Sequence, residues 1–388
     1  MRIALIRKEL SLHRGGVERY AVALARGLAE RGHEVHVVVG SADVDVCHGI
    51  TVHRVPFLRK PSSLKNASFQ HAVKKLVAGL RVDIVHGLSQ VYPQDVYRVG
   101  EPLHVHWLIT RFRSRLLRLV LFCTLRHQVI LSIERNIFRS GNYRRIMVNS
   151  QLCRQQVLEY YKVPETKIRL VYNGVDTTCF FPDSTGKLRT VARQTLGLRA
   201  DERVLVFAGN DFKRKGLWHA LAAVRILQDR GYALRFLIAG SDSRQYAQRC
   251  AAAQGVADSV VWVGSVPEPQ VLYHAADLLV LPSRYDPFAN VCLEAMACGV
   301  PVVTSRCNGA AELITPGVSG YSIDNPTDHQ AIADALAEFF DASSVTRQNM
   351  QHAAAAIAHQ YTLERNLEKT LRVYDEIIRE KQTGRGEH

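Results

Sequence analysis

Twice along this chain, short buried β-type runs alternate with helical patterns, and that repeated alternation constrains the fold more than any other feature. In the first series Ile3-Ala4-Leu5-Ile6 precedes a turn at Gly15-Gly16, a helical pattern through Tyr20, Leu24 and Leu28, and a second run from Val35 to Val39. Val82 to His86 and Arg145 to Asn149 read as further strands of that series. The second series starts at Val204 to Gly209 and passes through a helix over about 217–231, Leu234 to Gly240, a helix ending near Gly255, and Val260 to Gly264. Runs at Leu278 to Leu281 and Pro301 to Thr304 complete it. Parallel strands need helical crossovers, and these are right-handed, so each series predicts a doubly wound α/β domain. At 388 residues the chain exceeds what one core normally organises. The polar, breaker-rich stretch around 171–186 sets the expected domains at 1–172 and 173–361. A charged amphipathic helix over 362–388, with Leu363, Leu367, Leu371 and Tyr374 on one side, is expected to pack back on the first domain.

Ligands of such sheets bind beyond the carboxyl ends of the strands, so the residues just after each run are where chemistry is sought. After Leu278 to Leu281 comes Ser283 to Pro301, with Asp286 in a loop and Glu294 about one turn into a helix. Phe288, Ala289, Asn290 and Val291 lie at the loop-to-helix transition, where backbone N–H groups favour an anion. Taken singly, Asp286 is a turn residue and Glu294 a solvated helix residue; together with their neighbours they suit a sugar joined to a nucleoside diphosphate. Arg214 and Lys215, beyond Val204 to Gly209, read as a pyrophosphate clamp or as a solvated basic turn. Gly15-Gly16 allows close approach of backbone to a phosphate, or simply a tight turn, and it is no G-x-G-x-x-G fingerprint. Glu101, His104 and His106 form a third group, for which satisfied core histidines are the plainer alternative.

The run from Asp286 to Pro301 resembles the donor motif of family 4 glycosyltransferases: an acidic residue, seven residues, Glu, Ala, and a Gly-Val-Pro ending. Asp286 stands where that family usually has Glu, which retracts the carboxylate by roughly 1.5 Å. Arg214-Lys215-Gly216 matches the family's Arg-Lys pair. Asn173 to Asp176 and Gly264 to Pro267 fit its domain junction and base-binding stretch. Asp95 to His104 resembles a segment of the lipopolysaccharide core glucosyltransferase subgroup, with Glu101 in the acidic position, usually Asp, and His104 three residues later.

This resemblance implies a GT-B fold, two Rossmann-like doubly wound domains facing across a cleft, and transfer with retention from UDP-glucose to an inner-core heptose. It implies no bound metal and no other cofactor. Arg214, Lys215 and the N–H groups near Asn290 and Val291 would stabilise departing UDP, with Asp286 on sugar hydroxyls and Glu294 on the ribose. Gly15, Gly16, Asn173, Phe288 and Ala289 would complete the donor site, Gly264 and Val266 would meet the base, and Glu101 and His104 would lie beside the transferred sugar. A UDP-sugar 2-epimerase of the same fold is the rival reading.

Charge is unevenly distributed. Residues 1–175 hold 28 Lys/Arg against 12 Asp/Glu, net +16, so the remainder of the +14 chain is net −2. Between 111 and 145 nine arginines, including Arg111, Arg113, Arg115, Arg118 and Arg126, are mixed with apolar residues and a single acid, Glu134. That mixture predicts peripheral attachment to an anionic membrane, where an anionic lipopolysaccharide core acceptor would be met; a helix pair with solvated arginines is the alternative. Sparse aromatic residues among these arginines, and the lack of any nucleic-acid signature, argue against nucleic-acid binding. Eight scattered cysteines without a C-x-x-C pair, and no signal-peptide pattern, give the expectation of a cytoplasmic protein; the resemblance to the lipopolysaccharide core subgroup implies a place on the cytoplasmic face of the inner membrane.

Overall fold

In the computed structural model, which describes residues 1–10, 16–42, 49–58, 60, 62–111, 114, 122 and 124–383, the chain divides into two α/β units. Gly15, Arg113, Arg115 and Arg118, and the side chain of Arg111, lie outside the described residues. The first unit comprises Met1–Tyr172 and the chain from Leu363 onward; the second is Asn173–Thr362.

The first unit is built on a seven-stranded sheet of β1 (Arg2–Ile6), β2 (Glu34–Val39), β3 (Thr51–Arg54), β4 (Ile84–Gly87), β5 (Val96–Val99), β6 (Arg145–Val148) and β7 (Ile168–Leu170). Its spatial order is β3-β2-β1-β4-β5-β6-β7, and neighbouring strands pair in parallel. The helices are α1 (Gly16–Glu30), α2 (Ser62–Gly79), α3 (His104–Arg111), α4 (Leu125–Ile137) and α5 (Gln151–Tyr161). The run read as a strand from Val82 begins two residues later, because Asp83 closes the entry to the ladder. Its carboxylate and N–H bond the N–H and carbonyl of Arg2, at 2.7 and 2.8 Å. Strands β3, β5 and β7 carried no clear sequence signal; each is short and includes at least one arginine or histidine.

The second unit has a six-stranded parallel sheet of β8 (Arg203–Ala208), β9 (Leu234–Ala239), β10 (Val260–Gly264), β11 (Leu278–Leu281), β12 (Val302–Ser305) and β13 (Gly320–Ile323), ordered β10-β9-β8-β11-β12-β13. Its helices are α6 (Lys187–Thr195), α7 (Phe212–Lys215), α8 (Leu217–Asp229), α9 (Arg244–Ala253), α10 (Gln270–Ala275), α11 (Asn290–Ala297), α12 (His329–Asp341) and α13 (Ser344–Ala358). Val204 to Phe207 and Leu278 to Leu281 are wholly buried, as expected of central strands covered on both faces. In each sheet the chain winds outward on one side and then resumes on the other. The reversal falls between β1 and β4 in the first unit and between β8 and β11 in the second. No helix among the described residues is long and apolar enough to cross a membrane.

The last helix, α14 (Leu363–Thr383), belongs to the first unit. Its Leu367, Val373, Tyr374 and Ile377 join Leu5, Val37 and Ile84 in one core. Around this apolar seam lie polar ties: the Tyr374 hydroxyl is 2.6 Å from Nδ1 of buried His86, and Arg145 and Arg169 both reach Glu376, at 3.1 and 2.7 Å. Apolar burial rather than the ion pairs holds α14. Ile377→Ala is expected to cost about 2–5 kcal/mol, whereas Glu380→Gln, at a carboxylate that is 37% exposed, changes stability by about 1 kcal/mol or less. Thermal melts of both variants check this ordering.

Candidate functional site

In the second unit the site grows out of the chain reversal between β8 and β11. Beyond β8, Asp211 adopts a left-handed conformation and caps the single turn α7, its carboxylate accepting the Arg214 N–H at 3.4 Å. That turn places Arg214 and Lys215 side by side at the carboxyl end of the sheet. Gly216 ends it with φ of +85°, and a Cβ there would lie 2.0 Å from the carbonyl oxygen of Pro282, so only glycine lets α7 sit this close to the chain leaving β11.

That chain carries Asp286, which is 6% exposed. Its Oδ2 accepts from Arg214 Nη1 at 2.8 Å and from Lys215 Nζ at 2.9 Å, while Oδ1 accepts the Phe288 N–H at 3.2 Å. Arg214 is fixed further by the Tyr285 carbonyl and the Asp211 carboxylate, each at 3.0 Å. Burial pushes the Asp286 carboxyl up, but Lys215 and Arg214 outweigh it and hold the group below the ordinary carboxylate range.

The loop itself is tied down from β12. Asp286 N–H donates to the Cys307 carbonyl at 2.9 Å, Gly309 N–H donates to the Asp286 carbonyl at 3.0 Å, and buried Asn308 accepts the Ala289 and Ala310 N–H groups at 3.0 and 3.1 Å. Asn308 also donates to Thr304 Oγ1 at 3.0 Å. Phe288 and Ala289 are buried, whereas Asn290 and Val291, which open α11, are partly accessible. Asn173 donates to the Asn290 side chain at 2.5 Å, and Glu294, one turn into α11, accepts from the Tyr273 hydroxyl at 2.9 Å. Gly264 ends β10 in the same row of carboxyl ends, its carbonyl accepting the Gly240 N–H at 2.8 Å, and half-buried Val266 follows it. Arg214, Lys215, Asp286, Asn290, Asn173 and Glu294 are thus brought together around two strand ends, with Gly264 and Val266 two strands further along the sheet from β8.

In the first unit Glu101 follows β5, and its Oε1 accepts from Arg7 Nη2 at 2.8 Å. His104 opens α3, and its Nε2 is 2.9 Å from Nδ1 of His127 while its ring stacks on Trp107. Burial first, then His127 and Arg126, lower the His104 pKa to about 4; burial lowers that of His106, whose Nδ1 meets the Tyr160 hydroxyl at 2.9 Å, to about 4 as well. Both rings are therefore neutral at pH 7. Gly16 begins α1, and Arg126 is exposed near the start of α4.

Three supporting residues escaped sequence reasoning. Arg7 stands directly after a buried strand, which is a usable signal. Glu134, the lone acid among the arginines, is buried and accepts the His104 and Val105 N–H groups at 2.5 and 3.1 Å together with the Tyr161 hydroxyl, so it caps α3. Asn308 gave no signal. Among the described residues no group of three or more His, Cys, Asp or Glu is placed to hold a metal ion.

These two sheets and their strand-end residues coincide with two family models. Glycosyl transferases group 1 matches residues 189–357 and Glycosyltransferase Family 4 matches residues 14–178. An uncharacterized glycosyltransferase of Methanocaldococcus jannaschii is 28% identical over 93% of this chain and 94% of its own. A D-inositol 3-phosphate glycosyltransferase of Thermobispora bispora is 28% identical over 84% and 82%. The lipopolysaccharide glucosyltransferase WaaG of Escherichia coli is 24% identical over 89% and 90%. Among solved structures, that of WaaG, a glycosyltransferase involved in lipopolysaccharide biosynthesis, superposes with a TM-score of 0.84 at 22% identity, covering 97% of this chain and 99% of the other. Anabaena HepE in complex with UDP-glucose gives 0.72 at 19% identity, covering 99% and 100%. The chain belongs to the GT-B glycosyltransferases, with a family 4 domain followed by a group 1 domain.

Because the folded-state pKa of Asp286 lies below its unfolded value, its stabilising contribution is complete above about pH 4 and is lost as pH falls through the lower folded value. Asp286→Asn leaves Arg214 and Lys215 without their shared anion and is expected to cost about 3–5 kcal/mol at pH 7. The variant's melting temperature should also fall less steeply than wild type below about pH 4. An acid limb equal to that of wild type would detach Asp286 from the clamp.

Proposed function

We propose that this glycosyltransferase moves a hexose, glucose foremost, from a UDP-sugar to a membrane-associated lipopolysaccharide core acceptor, an inner-core heptose, with retention at the anomeric carbon. The observation that carries the reading is the buried Asp286 carboxylate with Arg214 and Lys215 fixed on it at the sheet's reversal point. Two cations held in place suit a leaving diphosphate, and a preorganised positive site costs no rearrangement as charge develops there. The near full-length likeness to WaaG in both sequence and fold, and the UDP-glucose complex of HepE, support this donor and acceptor.

In this mechanism the bond from the anomeric carbon to the diphosphate oxygen breaks first, leaving an oxocarbenium-like sugar and UDP. Arg214, Lys215 and the N–H groups at the start of α11 stabilise the departing charge, without a metal ion. Asp286 meets a sugar hydroxyl, Glu294 the ribose, and Gly264 and Val266 the base. Glu101 positions or deprotonates the acceptor hydroxyl that attacks on the same face, and neutral His104 lines the acceptor side. Arg111, Arg113, Arg115, Arg118 and Arg126 attach the protein peripherally to the cytoplasmic face of an anionic inner membrane, each contributing on the order of 1 kcal/mol, whereas Arg145, buried and paired with Glu376, takes no part. The relatives that use D-inositol 3-phosphate favour a second reading, in which the acceptor is a phosphorylated polyol.

Incubation with UDP-glucose and truncated core lipopolysaccharide should release UDP only when acceptor is present. Release with inositol phosphate instead would establish the second reading, and isomerised donor without acceptor would indicate an epimerase. Arg214→Ala should lower kcat about 10²- to 10³-fold. Binding to anionic vesicles should fall as salt rises; binding indifferent to salt would refute electrostatic attachment.

A further inference from the structure

We propose that Arg7 is the positioning residue for Glu101, an inference that rests on the placement of Glu101 at the acceptor hydroxyl. Arg7 lies one residue beyond β1, at the reversal point of the first sheet, the place in that sheet equivalent to the clamp's place in the second. Its side chain is 7% exposed, and a buried guanidinium must be paired. Nη1 donates to the carbonyl of Leu88, just past β4, at 2.8 Å, and Nη2 donates to Glu18 of α1 at 2.7 Å. A backbone carbonyl and a helix carboxylate therefore fix the guanidinium plane before Glu101 is considered.

Glu101 is the loose partner. Its side chain is 48% exposed on a bend between Gly100 and Pro102. The backbone on either side is already held: β5 lies upstream, and downstream the first N–H groups of α3 are bound by Glu134. What remains undetermined is the direction of the Glu101 carboxylate, and the 2.8 Å bond from Arg7 Nη2 to Oε1 sets it. Glu18 and Glu101 share one nitrogen, so Glu18 anchors the guanidinium while Glu101 receives its orientation from it. A lysine at position 7 keeps the charge and loses the fork, since one ammonium cannot reproduce the planar arrangement of Leu88, Glu18 and Glu101.

The test is a double-mutant cycle on the full chain with Arg7→Lys and Glu101→Gln, reading kcat and the KM for UDP-glucose separately. Arg7→Lys should lower kcat about 10²-fold, the scale of a small misplacement of a reacting group, with the donor KM unchanged. In the Glu101→Gln background the same change should cost nothing further, because Arg7 acts through Glu101. Wild-type kcat in Arg7→Lys, or losses that multiply in the double variant, would overturn the proposal. Wild-type turnover in Glu101→Gln would instead overturn the placement of Glu101, and Arg7 with it; a disabled Glu101→Gln beside an unimpaired Arg7→Lys overturns Arg7 alone. Should Arg7→Lys not fold, Glu18→Gln weakens only the anchor. It should lower kcat severalfold, again without effect in the Glu101→Gln background, and unchanged kcat or additive loss there counts against the proposal.

Discussion

One buried carboxylate, Asp286, organises the carboxyl end of the second sheet. Its Oδ2 binds two cations that arrive from a different strand, seventy-one and seventy-two residues earlier in the chain (286 − 215 and 286 − 214), and its backbone is pinned in turn by Cys307 and Gly309 from beyond β12. Three connections of the sheet thus meet at one residue. Neither partner is affordable alone: a buried carboxylate without cations would protonate, and two adjacent cations without it would repel each other. The pairing keeps the two cations concentrated at one point, which is where the proposed function puts the leaving diphosphate.

The same logic recurs in the first unit with the signs exchanged. There a buried cation, Arg7, sits at the reversal point and collects two carboxylates, Glu18 and Glu101, from different elements. In both units the parallel sheet does the placing. Central strands are buried on both faces and end abruptly, so the first polar residues past them are held close together by backbone geometry. Glycine permits the closest approach, as Gly216 does against Pro282.

Much of this was legible in the sequence because central parallel strands are continuous apolar runs, and Val204 to Phe207 and Leu278 to Leu281 are short runs bounded by turn residues that alternate with helical patterns. Short strands that carry polar residues were not legible. Thr51–Arg54 and Ile168–Leu170 are short and partly polar, and in Val96–Val99 the buried Arg98 sits 4.1 Å from the Tyr20 ring centre, a contact that no local pattern announces. The acidic and basic residues of the loop after β11 and of the turn after β8 were visible as types and positions. Their contact with each other was not, because sequence periodicity carries no information on which strand ends become neighbours. Glu134 shows the limit most clearly: an acid among arginines suggests a solvated charge, yet it is buried and caps α3, a role fixed by the packing of two helices.

The shorter carboxylate at position 286 has a consequence for donor recognition. An ionised carboxylate offers about four acceptor sites, and Asp286 already uses three of them, on Arg214, Lys215 and the Phe288 N–H. About one remains open to a sugar hydroxyl of the proposed donor. A glutamate at this position would carry its oxygens one methylene further out, roughly 1.5 Å. The aspartate instead keeps them against the cations. Under the proposed function the residue would therefore serve the diphosphate end of the donor more fully than the sugar end, and sugar discrimination would pass to the groups around it, among them the partly accessible Asn290, held by Asn173.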